Sequence, residues 1–279
     1  MMHRLIKLEF SKLFRRGLTY IGFGAILLIV LIIHAGMYAE GRKLLDLLMK
    51  NLSDVFVFQG DLINVYTVSY IILNSLWIHI PILVAIVSGD MLSGEAGRGT
   101  FRLLLTRPVS RLGLVTAKYI TAQIYTAMLV IFLLLLSLGV GRIFYSTGDM
   151  IVLINTINIF SQTDVIWRFL AAFAYGIISM WVVSGLAFLF SGFSSSSLSS
   201  VLSTMAVIIV FTIISNFSLG IFEVIKPFLF TTYLNGWMLF FDDPVNWTKV
   251  FSYATIMILH ITIFFIVTLI IFRKKDITT

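Results

Sequence analysis

Charge is scarce in this chain of 279 residues. Asp, Glu, Lys and Arg make up 12% of it, about half the share of a soluble domain. Cysteine is absent, which removes disulfide frameworks, thiol nucleophiles and thiolate metal sites together. The histidines His3, His34, His79 and His260 are scattered and form no H-E-x-x-H pair, so a zinc protease has no ligand set and no metal site is expected. The methionines do not cluster as M-x-x-M, which weighs against soft copper ligation. No G-x-x-x-x-G-K-[ST] loop is present, so the chain lacks that machinery for binding ATP. The nearest nucleophile-like dipeptide, Ser184-Gly185, has no base paired with it in sequence, and no catalytic residue is expected. Soluble hydrolases, kinases and transcription factors are excluded.

What the chain has instead is apolar sequence, with 59% hydrophobic residues and a mean hydropathy of +1.03. Roughly 20 helical residues cross the hydrocarbon core of a bilayer. Six windows without Asp, Glu, Lys or Arg meet that length: 18–39, 67–89, 119–140, 169–191, 198–219 and 250–272. Their continuous apolar character favours helices over a barrel, whose strands alternate. The fold expected is therefore an all-α membrane protein with six transmembrane helices in a single domain over 1–279. With the N-terminus inside, 13 of the 20 Lys and Arg residues lie in inner segments. By the positive-inside rule both termini are cytoplasmic. The net charge of +7 then reports topology and attraction to anionic headgroups of the lipid bilayer, and no nucleic acid partner is implied.

The segments between windows differ in kind. Residues 1–17 read as an N-terminal amphipathic interfacial helix, with Ile6, Phe10, Leu13 and Phe14 on one stripe among Arg4, Lys7, Lys12, Arg15 and Arg16. The outer loop 40–66 is polar, with room for a short helix near 43–50. Four serines at 194–197 form a short inner turn, read as a plain connector. The outer segment 220–249 is unusually apolar and carries Phe228, Phe230, Tyr233, Trp237, Phe240 and Phe241. It reads either as a lid or re-entrant pair of short helices, or as an aromatic interface belt; irregular backbone at membrane depth needs protein or water to satisfy it.

The inner segment 90–111 is the most informative. Gly94, Gly97 and Gly99 permit tight turns and close backbone approach, Thr100 can cap a short helix and Pro108 must end it. On that helix Phe101, Leu104 and Leu105 share one face while Arg98 and Arg102 lie four apart on another. Glu95 has two readings from the residues alone, a salt bridge to Arg98 or a contact with a partner.

Ser93-Gly94-Glu95, Gly99-Thr100, the leucines 103–105, Arg107-Pro108-Val109-Ser110-Arg111 and Lys118 at the start of the next span resemble the first inner loop of ABC-2 type transporter permeases. The resemblance covers about 20 residues as motif and the whole chain as architecture. It implies that 90–111 holds a cytoplasmic coupling helix between spans two and three, docking on a separate ATPase subunit. The coupling residues it implies are Glu95, Arg98, Gly99, Thr100, Phe101 and Arg102. It further implies a bacterial or archaeal plasma membrane, a second permease chain in a homo- or heterodimer, and two ATPase copies. Their ATP and Mg belong to the partner, and this chain binds no cofactor itself.

Energy supply points the same way. Ion-coupled pumps place carboxylates within their spans, and the six windows contain none. The function expected is export of a hydrophobic or amphipathic substrate such as a lipid, drug or antimicrobial peptide, driven by the partner ATPase; the alternative is a mechanotransmitting or anchoring subunit with no transported substrate. For a substrate path, span two offers Asn74, Ser75 and His79 just before Pro81, which is expected to kink the helix. Span five offers Asn216 among small hydroxylated residues. In the resembled family these two spans border the central cavity.

Overall fold

Long helices form wherever apolar sequence runs without proline. The chain, in a computed structural model, is described over residues 2–53, 63–99, 110–153, 157–217 and 220–274. Helix α1 (Met2–Phe14) leads through a tight turn into α2 (Gly17–Ser53). Then follow α3 (Val65–Leu76), α4 (Ile80–Gly97) and α5 (Arg111–Phe144). A short antiparallel hairpin comes next, β1 (Met150–Leu153) on β2 (Ile157–Phe160), with Met150 opposite Phe160. Helices α6 (Gln162–Phe193) and α7 (Ser197–Asn216) follow. The short α8 (Gly220–Ile225) opens a run of 3-10 turns at Lys226–Phe228, Phe230–Thr232 and Leu234–Phe241. The last helix is α9 (Trp247–Lys274).

Six of these helices, α2, α4, α5, α6, α7 and α9, are long and apolar enough to cross a membrane. The all-α expectation is corrected in one respect, since β1 and β2 occupy part of the expected outer loop between spans three and four. Residues 43–50 form no separate helix and instead continue α2. The helices also outrun the windows. A window ends at the first charge, whereas a helix tolerates a charge that finds a partner, so α4 runs on through Asp90 and Glu95, and α5 begins before Lys118.

Span two departs further from expectation. The window 67–89 is divided into α3 and α4 by a turn at Trp77, Ile78 and His79. Pro81 sits in the first turn of α4, where its missing N–H costs no helical bond. The turn satisfies itself: the His79 N–H donates to the Leu76 carbonyl at 2.8 Å, and Nδ1 of His79 lies 3.0 Å from the Ser75 carbonyl.

Helix α6 is the central mast, packed by α4, α5, α7, α9 and the last 3-10 turn. Small polar residues join it to α4, as expected where apolar surface gives helices no preference for each other over lipid. Ser88 and Ser184 meet at 2.8 Å, and the Ser191 hydroxyl accepts from the Ser93 N–H at 2.8 Å. Gly192 of α6 lies between Leu92 of α4 and Thr268 near the end of α9, so α9 finishes at the end of the bundle where α4 does.

At the opposite end most of the aromatic segment 226–241 is packed inward, with Trp237, Phe230 and Phe241 fully buried, while Phe228 stays exposed. Trp237 lies between the rings of Tyr70 and Trp77, with centroids 5.7 and 5.5 Å away. Its non-helical carbonyls find partners. Arg168 donates to the carbonyls of Phe240 and Asp242, both at 2.9 Å, Tyr175 to that of Tyr233 at 2.7 Å, and Asn158 to that of Phe241 at 3.0 Å. Arg168 is itself held by Asp164 at 2.7 Å and lies 4.1 Å over the Phe160 ring.

Candidate functional site

Two places in the bundle combine polar groups with burial. The first is a cluster of ions at the end where α4 and α9 finish. Lys118, only 1% exposed, projects from α5 between two carboxylates. Its Nζ lies 2.6 Å from Glu9 Oε2 on α1 and 2.7 Å from Glu95 Oε1 on α4. Lys12 closes the group at 2.7 Å from Glu9 and 3.5 Å from Glu95. Beside it Asp90 accepts from Arg16 at 2.6 Å and from the Ser197 hydroxyl at 2.5 Å, with Arg98 at 3.8 Å. Burial by itself pushes the Glu9 carboxyl up, but Lys118 and Lys12 outweigh it and hold its pKa below the ordinary 4.5.

Each element brings its ion for a local reason. Helix α1 turns its Glu9 and Leu13 inward, while Arg4, Lys7 and Arg15 face outward. Its apolar stripe is only half-buried, and Phe10 and Phe14 stack at 4.7 Å. Helix α4 ends against the turn before α7 because residue 97 is glycine, whose Cβ would otherwise stand 2.6 Å from the Ser195 carbonyl oxygen. Gly99 has a φ of +66°, the left-handed conformation that terminates helices and suits glycine. The cluster thus fastens α1, α4, α5 and the 194–197 turn directly below the two feet of the loop between α4 and α5.

Of the six expected coupling residues, Glu95, Arg98 and Gly99 are seen here, while Thr100, Phe101 and Arg102 lie outside the described residues. Arg98 is half-exposed and turned toward Asp90, 3.8 Å away. Glu95 is 3% exposed and faces Lys118, so its carboxylate ties α4 to α5. The 194–197 turn joins α6 to α7 and adds one tie to the cluster, the Ser197 hydroxyl on Asp90. Glu9, Lys12, Arg16, Asp90 and Lys118 were not singled out as a site by sequence reasoning. The available signal was Glu9, the single acid in an otherwise basic 1–17 segment.

The second place is a cavity of about 730 Å³ between the α3 to α4 break, α7 and the aromatic segment. Asn216 lines it, whereas Asn74, Ser75 and His79, the other residues expected on a substrate path, do not. Ser75 and His79 are exposed and bonded to each other, and Asn74 is half-buried. Ser215, Thr231 and Thr232 form a hydroxyl cluster at one end, with Ser215 at 2.8 Å from Thr231 and 3.1 Å from Thr232.

These features define a multi-pass α-helical membrane protein, tied by buried ion pairs at one end and closed by an aromatic segment at the other. The chain belongs to the family described as "Protein of unknown function (DUF2705)", which matches residues 27–278. It is similar to a protein of Bacillus subtilis (strain 168) named "Uncharacterized protein YhcI", with 26% identity over 202 residues, covering 69% of this chain and 63% of that relative. The match thus spans less than two thirds of the relative's length.

Proposed function

We propose that this chain is the membrane-spanning permease subunit of an ABC-2 type ATP-binding cassette transporter. A separate ATPase, in two copies, binds ATP and Mg and drives a dimer of permeases in a bacterial or archaeal plasma membrane. Both termini and the 90–111 loop face the cytoplasm, and a hydrophobic or amphipathic substrate moves outward or between leaflets. The observation that carries this reading is the Glu9, Lys118 and Glu95 cluster beneath the loop. A push on a short loop is lost if its two feet yield independently. Here the ends of α4 and α5 are tied to each other and to α1 by charge-assisted bonds of 2.6 and 2.7 Å, so displacement of the loop is delivered to three helices as a unit. The buried carboxylates Glu9 and Glu95 are engaged by lysines in this clasp, which suits a mechanical role better than an ion path.

The test is purification of the chain co-expressed with its genomic neighbours, followed by ATPase assay. An ATPase subunit is expected to co-purify with the wild type and to be lost with Arg98→Ala combined with Phe101→Ala, while the variant chain elutes unchanged from a sizing column. Absence of an ATPase partner for the wild type, or retention by the double variant, overturns the reading.

A further inference from the structure

We propose that the cavity beside α7 is a binding site for a single-chain amphiphile with an uncharged, hydrogen-bonding head, a monoacylglycerol being the simplest example. Its walls are graded. Ile78, Ile82, Met205 and Ile209 supply an apolar stretch, and Ser215 with Thr231 and Thr232 supply the polar end. From Met205 to Asn216 the cavity follows eleven helical steps of α7, about 16 Å at the helical rise. One leaflet of the hydrocarbon core is about 15 Å deep, so the wall with its polar end included spans about one leaflet; its apolar part, Met205 to Ile213, is about 12 Å long and takes most of one acyl chain, with the head at the end of α7. The volume lies within the roughly 300 to 1,000 Å³ of small-molecule sites.

Charge decides the head. Among the described residues, no Lys, Arg, Asp or Glu lines the cavity. The nearby cation, Lys226, gives its carbonyl to the Thr232 hydroxyl at 2.8 Å, while its ammonium is paired with Glu223 at 2.6 Å. A phosphate placed here would be desolvated without a counter-ion, which is costly, whereas hydroxyls that both donate and accept suit a glycerol or other neutral head. The site stands whether or not an ATPase drives the chain; only the further statement that this amphiphile is the transported substrate rests on the permease reading.

The purified full-length chain in nanodiscs is exposed to a monoacylglycerol carrying a diazirine at mid-chain, and the adducts are mapped by mass spectrometry. Labelling is expected on 78–82 and 205–213. Unlabelled monoacylglycerol should compete at least about tenfold better than the anionic lysophosphatidylglycerol of the same chain length. Ile209→Trp, at an exposed position of α7 where folding is undisturbed, should reduce labelling at least fivefold by filling the cavity. Thr231→Val with Thr232→Val should weaken competition roughly fivefold, the worth of one net hydrogen bond, and Thr232→Ser should preserve it. Equal competition by the anionic lipid, labelling indifferent to Ile209→Trp, or no labelling of the cavity walls overturns the proposal. Because no ATPase is present in the assay, its failure leaves the permease reading untouched.

Discussion

Lys118 is the residue on which the charged end turns. It bridges two carboxylates, with Lys12 supplying the second positive charge, and removing one member of a buried ion group leaves uncompensated charge, a loss of about 3 to 5 kcal/mol. Lys118→Met is therefore expected to lower thermal stability in detergent severely. The triple variant Glu9→Gln, Lys118→Met, Glu95→Gln, which deletes all three charges, should recover most of the loss; equal destabilisation of both would show that the ions do not act as a group. Glu9 adds a pH dependence. Its folded pKa lies below its ordinary value of 4.5, so the stability it lends is fully present above 4.5 and is lost as the pH falls through the lower, folded value. The absence of cysteine makes this measurable with a single Ser11→Cys label on the exposed face of α1. The label should report undocking of α1 below pH 4.5 and none between pH 5 and 7. Sequence patterning could not assemble this cluster, because Glu9, Glu95 and Lys118 are brought together by packing across more than 100 positions.

At the scale of elements, the aromatic segment depends on one side chain from another helix. Arg168 holds the carbonyls of Phe240 and Asp242, whose irregular backbone has no helical partner, and a guanidinium reaches both in a way an ammonium cannot. Arg168→Ala should loosen residues 226–246, raising protease cleavage there, and Arg168→Lys should rescue only partly; unchanged cleavage would place the hold elsewhere. That this segment is no ordinary loop was legible, since ten aromatic or aliphatic side chains stand between two prolines. Its anchor was not, because Arg168 in sequence is only one more cation in a loop. The break in span two was half legible in the same way. Pro81 announces an interruption, but whether a helix kinks or parts depends on what fills the gap, here Trp77 against Trp237. The hairpin left little trace, as two four-residue strands lie below the length at which alternation is distinctive.

For the whole molecule, the count of six spans was readable because hydrocarbon imposes a simple length rule. What that rule does not convey is how unevenly the helices are used. Helices α7 and α9 show most of their surface, whereas α4 and α6 hide most of theirs. Of the six, α4 is the least apolar, and it carries Asp90 and Glu95. This inequality has a consequence for biogenesis. Helix α4 emerges from the ribosome after Arg16, the partner of Asp90, but before α5, so it reaches the translocon without Lys118, the nearest cation to Glu95. A charged residue lowers the tendency of a lone segment to partition into lipid. Chains truncated after Gly97 are therefore expected to leave an introduced Ile86→Cys in α4 open to a water-soluble thiol reagent, and chains extended through Phe193 to protect it, with equal protection arguing against delayed entry. The ion pairs that fasten the finished bundle would then also set the order in which its helices leave the insertion machinery, with α4 waiting at the lateral gate for its partners.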